Sequence, residues 1–271
     1  MVRAAGRVGV TRVRSAEVFA AARAEGRAAL VGYLPAGYPS YDGCVAALEA
    51  MVEAGCDLIE IGLPYSDPVL DGPVIQQASE AALRGGAKTV DALRTVEAVA
   101  ATGAAVLVMS YWNPVLRYGV DGFARDLAAA GGSGMITPDL IPDEASEWIA
   151  ASEAHDLDRV FLVAPSSSEQ RLASTTRACS GWVYAASTMG VTGARTATSA
   201  VAPALVERTR RCTDLPVAVG LGVSTGEQAA EVAAYADGVI VGSAFVRRLI
   251  DGEGPAGVAA LTHELAGGLR R

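Results

Sequence analysis

A closed (β/α)8 barrel with an extra N-terminal helix and additional short helices is the fold class this sequence predicts. Three observations lead there. Short β-branched or apolar runs alternate eight times with amphipathic, alanine-rich stretches. No G-x-G-x-x-G or Walker A pattern follows the first strand, as it often does in a doubly wound open sheet, the competing α/β architecture. The chain has 271 residues, 51% of them hydrophobic and 19% charged, enough for one large core with many buried strands. No Pro/Gly-rich polar linker divides it, so residues 1–271 are expected to form a single barrel domain, with 1–14 a flexible lead.

Each element follows from the same alternation. The lead opens into a helix over 15–25 and a first strand over 28–34, an apolar run bounded by polar residues and proline. A helix over 41–54 and a strand over 57–62 come next. Helices over 74–84 and 90–101 precede a strand over 105–110. The rhythm then runs helix 119–130, strand 134–137, helix 143–154, strand 159–164, helix 169–178, strand 182–186. It closes with helix 201–210, strand 216–220, helix 227–236, strand 238–241 and two helices over 244–250 and 256–266. In such a barrel, chemistry belongs at the C-terminal ends of the strands.

Composition excludes several classes of function. A formal net charge of −8 without any Lys/Arg tract argues against a nucleic-acid partner. The apolar runs are too short for a membrane span, and no signal-peptide core follows Arg3, Arg7, Arg12 and Arg14, which predicts a cytoplasmic protein. Cys44, Cys56, Cys179 and Cys212 are widely spaced in or beside apolar segments and read as small buried hydrophobes. Two histidines, His155 and His263, and one lysine, Lys88, leave few candidates for a metal cluster or a Schiff base.

The second strand carries the most informative junction, Leu58-Ile59-Glu60-Ile61-Gly62-Leu63-Pro64-Tyr65-Ser66-Asp67-Pro68-Val69-Leu70-Asp71-Gly72-Pro73. Glu60 interrupts an apolar strand. If Ile59 and Ile61 pack under the helices, period-two alternation turns Glu60 into the barrel mouth. A carboxyl group buried there needs a partner, a ligand or a raised pKa, and a raised pKa suits an acid that then serves as a base. Asp71 follows eleven residues later, across a loop whose prolines and glycines allow it to fold back opposite Glu60. Taken singly, each acid has an ordinary structural reading, as a barrel glutamate with a polar partner and as an Asp-Gly turn. Asp67, mid-loop, reads as a surface or partner contact.

Three late junctions have the makings of an anion site: Met189-Gly190-Val191-Thr192-Gly193-Ala194-Arg195, Gly220-Leu221-Gly222-Val223-Ser224, and Val241-Gly242-Ser243-Ala244 opening a helix. Glycine lets the backbone approach a ligand, and successive amides with a helix N-terminus bind phosphate. The final loops and a short helix are where barrels recurrently hold one.

The run E-I-G-x-P-x-S-D-P-x-x-D-G-P from Glu60 to Pro73, together with Gly190-Val191-Thr192-Gly193, resembles the tryptophan synthase alpha family. So do Tyr33-Leu34-Pro35-Ala36-Gly37-Tyr38-Pro39, Met109-Ser110-Tyr111-Trp112-Asn113-Pro114, Pro138-Asp139-Leu140 and Tyr184. Tyr38 departs from the acidic residue common in that family. The resemblance implies a TIM barrel that cleaves indole-3-glycerol phosphate to indole and glyceraldehyde 3-phosphate in tryptophan biosynthesis. It implies Glu60 as catalytic acid/base and Asp71 as the carboxylate that orients the indole ring. It further implies substrate contacts at Tyr33, Tyr111, Tyr184 and Thr192, and phosphate contacts at Gly193, Gly222, Gly242 and Ser243. No cofactor or metal is expected in this chain. Pyridoxal phosphate is expected in a partner beta chain, within an alpha2-beta2 complex.

Tyr33, Leu34, Tyr111, Leu107, Tyr184 and Ile61 are candidates for the apolar wall. A metal-free lyase or isomerase acting on another phosphorylated aromatic or sugar, and a noncatalytic regulatory partner, are the competing functions.

Overall fold

Eight parallel strands hydrogen-bond in sequence order, each to the next and the last to the first, in a computed structural model that describes residues 12–186, 201–220 and 222–270. The strands are β1 (Ala29–Pro35), β2 (Leu58–Gly62), β3 (Ala105–Met109), β4 (Gly134–Thr137), β5 (Asp158–Val163), β6 (Val183–Ala186), β7 (Val217–Gly220) and β8 (Gly238–Val241). The described helices are α1 (Ser15–Ala24), α2 (Tyr41–Glu53), α3 (Pro73–Arg84), α4 (Thr89–Ala100), α5 (Trp112–Tyr118) and α6 (Val120–Ala129). They continue with α7 (Ser146–Ala154), α8 (Glu169–Ala178), α9 (Val201–Arg210), α10 (Gly226–Ala233), α11 (Ser243–Ile250) and α12 (Gly254–Gly268). Closure removes the exposed edges that an open sheet would leave, so the predicted barrel stands.

Period-two alternation sorts the strand residues into two apolar sets. Ile59, Ile61, Val106, Val108, Met135 and Val239 pack outward beneath the helices in a large cluster. Val31, Leu58, Leu107, Ile136, Val160 and Ile240 fill the interior with Phe19 and Trp182. Leu34 and Ile61 therefore belong to the helix layer, which corrects their expected place in the apolar wall. Being next to a mouth-facing residue in sequence puts a side chain on the opposite face.

The barrel floor is closed by α1. A Cβ on Gly238, at the start of β8, would lie 2.7 Å from the Phe19 ring. Phe19 in turn meets Trp182 at a centroid distance of 5.6 Å, and Trp182 stacks beneath Tyr184 at 5.8 Å. Residues 12–14 are tied to the same end: Ser133 Oγ donates to the Val13 carbonyl at 2.7 Å, and Arg14 pairs with Asp156.

Two local differences from the predicted elements have physical reasons. Helix α5 was not among the predicted elements; it accommodates Pro114 in its first turn, where no intrahelical N–H is needed, and stops at Gly119 with φ 97°. The predicted helix over 143–154 is broken into a 3-10 turn, Pro142–Glu144, and α7, because Ala145 between them departs from helical geometry with φ −94° and ψ 15°. Among the described residues no helix is long and apolar enough to cross a membrane.

Candidate active site at the mouth of the barrel

Glu60 stands on β2 between two outward isoleucines and so points inward, with 1% of its surface exposed. Neither carboxylate oxygen has a hydrogen-bond partner among the described residues. Burial without a compensating donor disfavours the charged form and pushes its pKa up to about 8. A carboxyl poised there gives and takes a proton near neutrality.

Tyrosines from two other strands face this acid. Tyr33 on β1 is the direct register partner of Glu60, and Leu107 on β3 is its partner on the other side. A Cβ on Gly62 would lie 2.2 Å from the Tyr33 hydroxyl, so the phenol occupies the space a side chain at 62 would fill. Tyr184 on β6 is seated in the same way over Gly220 of β7, with 2.5 Å between its hydroxyl and a Cβ there. Burial is the first cause that raises both phenols well above the usual tyrosine range, and the nearby Glu60 carboxylate adds to it.

Asp71 enters from the loop between β2 and α3. Its Oδ1 accepts from the Tyr111 hydroxyl at 3.0 Å, and its carbonyl accepts from Gln76 Nε2 at 2.7 Å. Burial raises its pKa, while the Tyr111 hydrogen bond opposes that shift. Tyr111, at the end of β3, also accepts from the amides of Val69 at 3.2 Å and Leu70 at 2.9 Å, which ties the loop to the barrel rim. The ring of Tyr65 lies 5.3 Å from that of Tyr111, and Asn113 Nδ2 donates to the Tyr65 hydroxyl at 3.2 Å. Sequence reasoning gave no role to Tyr65 or to Asp139, which it quoted only within Pro138-Asp139-Leu140 and whose Oδ1 accepts from the Trp112 amide at 2.9 Å. An aromatic inside the long loop and an aspartate at a strand end were the available signals. Asp67 is exposed and, among the described residues, accepts only from its neighbour Ser66, at 2.5 Å.

Across the mouth, Gly242 is the N-cap of α11 and Ser243 its first residue. The first amides of a helix have no intrahelical acceptor and point at whatever lies before it, which favours an anion. Gly222, with φ 71°, takes the left-handed backbone after β7 that glycine adopts most readily. Tyr33 links this end to the acids: a Cβ on Gly242 would meet its ring at 3.2 Å. Thr192, Gly193 and Arg195 lie outside the described residues, as does Leu221.

The structure thus brings Glu60, Asp71, Tyr33, Tyr111 and Tyr184 together at one rim, with Gly242 against Tyr33. The residues that competing mechanisms would need lie elsewhere. His155 pairs with Asp121 at 3.0 Å, His263 is exposed on α12, and Lys88 is exposed at the start of α4. Among the described residues no group of three or more His, Cys, Asp or Glu is placed to hold a metal ion.

Comparison with known proteins adds to this geometry. The family profile described as "Tryptophan synthase alpha chain" matches residues 19–267. A tryptophan synthase alpha chain from Nocardia farcinica is 63% identical over 257 residues, covering 95% of this chain and 96% of that one. Its counterpart from Mycobacterium avium is 62% identical over 258 residues, covering 95% of each. Among solved structures, a chain of Mycobacterium tuberculosis tryptophan synthase superposes with a TM-score of 0.92 at 62% identity, covering 96% of this chain and 99% of that one.

Proposed function

The chain belongs to the tryptophan synthase alpha chain family, and from that premise we propose that it cleaves indole-3-glycerol phosphate with Glu60 as acid/base and Asp71 as the ring-orienting carboxylate. The observation that carries the reading is a carboxyl group 1% exposed, without a hydrogen-bond partner among the described residues, at the mouth of a closed barrel. The protonated Glu60 gives its proton to indole C3, and the ring becomes an iminium whose N–H is held by Asp71. The Glu60 carboxylate then takes the proton of the glycerol hydroxyl next to the ring. The O–H electrons form the carbonyl, the carbon–carbon bond breaks, and its electron pair restores the aromatic indole. Glyceraldehyde 3-phosphate leaves, and Glu60 is protonated again.

Tyr33, Tyr111 and Tyr184 contribute aromatic surface to the indole pocket, and Gly222, Gly242 and Ser243, with Thr192 and Gly193, hold the phosphorylated tail. The reading takes residues 1–271 as one barrel domain in a cytoplasmic enzyme, since its reaction belongs to amino-acid biosynthesis.

No cofactor is needed for these steps. Pyridoxal phosphate belongs to a beta chain that receives the indole, in an alpha2-beta2 assembly. Three apolar side chains on the connections that follow β2, β3 and β4 support such a partner: Val69 is 68% exposed, Leu116 53% and Ile141 39%. Co-purification with a beta chain, with and without a substrate analogue, tests the assembly.

The decisive experiment measures indole formation from indole-3-glycerol phosphate against related sugar phosphates. Turnover of the indole substrate alone is expected. Preferential turnover of another phosphorylated sugar would replace this reading with the competing lyase or isomerase.

A further inference from the structure

Glu60 and Tyr33 present an acceptor and a donor that are both unspent. Both Glu60 carboxylate oxygens are buried without a hydrogen-bond partner, and the Tyr33 hydroxyl donates to no protein group among the described residues. The two residues are register partners on adjacent strands, so both side chains start at one level of the barrel interior. Residue 62 follows Glu60 on the same face of β2, and it is a glycine. Tyr33 lays its hydroxyl over that glycine, where a Cβ would lie 2.2 Å away. The Tyr33 phenol and Glu60 therefore share one face of the β1–β2 pair, close enough for the carboxylate to act on the phenol.

Ionised Glu60 needs a donor, because a buried carboxylate with none is costly. The nearby hydroxyls are not equivalent. Tyr111 spends its proton on Asp71 at 3.0 Å. Tyr184, on β6 over Gly220 of β7, feels Glu60 from across the barrel interior and is not its register partner. Tyr33 is the register partner of Glu60, and its hydroxyl donates to no protein group among the described residues.

We propose that Tyr33 is a positioning residue for the acid/base, swinging its hydroxyl onto the Glu60 carboxylate in the ionised half of the cycle and releasing it when Glu60 holds the proton. Gly62 is a glycine so that the phenol can sit there. The acid thus alternates between a dry, protonated form and an ionised form with one donor. This rests on the assignment of Glu60 as acid/base made above. The other titratable groups facing the pair are Asp71 from the β2–α3 loop, Tyr111 after β3, Tyr184 on β6 and, behind β2, Cys56. No cationic side chain acts on either group among the described residues.

The test titrates Glu60 in the intact chain by the infrared band of its protonated carboxyl, identified by its loss in Glu60→Gln, and measures the pH profile of turnover alongside. Losing a hydrogen bond to the charged form should move the Glu60 titration in Tyr33→Phe upward by roughly one pH unit. Tyr184→Phe should leave it near the wild-type position. Gly62→Ala, which pushes the phenol off its seat, should move it the same way as Tyr33→Phe. A Tyr33→Phe chain whose band titrates as in wild type overturns the proposal, as does an equal shift in both phenylalanine variants. The infrared titration reads the pair without turnover. A shifted band in a chain that does not cleave the indole substrate would leave this pairing standing and remove the functional reading instead.

Discussion

The Tyr111 hydroxyl donates to Asp71 Oδ1 at 3.0 Å while accepting from the amides of Val69 at 3.2 Å and Leu70 at 2.9 Å. One phenolic oxygen therefore fixes both the carboxylate and the loop that carries it. Tyr111→Phe removes all three bonds and leaves the ring. Each bond contributes on the order of 1 kcal/mol, so kcat/KM should fall about tenfold or more, mostly through KM as the loop loses its anchor. Steady-state kinetics and limited proteolysis of the 63–72 loop check this; unchanged kinetics with an equally protected loop would contradict it.

Burial of Glu60 makes the stability of the fold depend on pH. Its folded pKa, about 8, lies above the ordinary value of 4.5. Between those values the folded chain keeps a proton that the unfolded chain has lost, so Glu60 costs the fold stability progressively as pH rises from 4.5 to 8 and no further beyond. Glu60→Gln removes that cost. The variant should melt above wild type, with a gap that widens from pH 5 to pH 8, while cleavage drops at least about 100-fold. Thermal melts across that range read the first effect and indole release the second. A gap that narrowed with pH would show that Glu60 is ionised in the fold.

Asp71→Asn keeps the shape of the side chain and loses its charge. With the iminium no longer faced by an anion, kcat should fall by about 100-fold or more, while binding of a phosphorylated analogue changes little. Single-turnover kinetics with analogue titration separates the two effects. Equal losses in binding and turnover would make Asp71 a ground-state contact.

Gly220→Ala tests the other tyrosine seat. A Cβ there would lie 2.5 Å from the Tyr184 hydroxyl, so the ring must shift or the strand must yield. Overpacking of this kind costs about 1–3 kcal/mol. A lower melting temperature and a raised KM are expected, both relieved when Tyr184→Phe shortens the ring. Absence of that relief would place the strain elsewhere.

Ser243→Ala addresses the anion end. Ser243 is the first residue of α11, whose N-terminal amides face the mouth. Losing one hydroxyl while keeping the amides should raise KM severalfold and leave kcat nearly unchanged. A fall in kcat with constant KM would assign the serine to the chemistry instead.

Much of this architecture was legible in the residues. Ile59 and Ile61 around Glu60 carried the alternation that turned the acid inward, and the eight apolar runs carried the barrel. Leu34 and Ile61 were placed in the wall because they adjoin mouth residues, yet adjacency along a strand reverses the face. Helix α5 escaped notice because its first turn contains a proline, normally a sign of a break. The tie between Tyr111 and the amides of Val69 and Leu70 left no mark in the sequence. It depends on how a loop folds across some forty residues of chain, and neither periodicity nor spacing records that. The geometry around Thr192 and Gly193 lies outside the described residues, so the anion end rests on Gly222, Gly242 and Ser243.

The Phe19 and Trp182 rings sealing the far end of the barrel have a bearing on traffic. With both rings buried, the described residues leave the base of the barrel filled, and the Glu60 carboxyl is approached from the opposite end. Val69, whose amide is held by the Tyr111 hydroxyl, stands exposed at that end. A neighbouring protein seated on that end would cover the approach to the site.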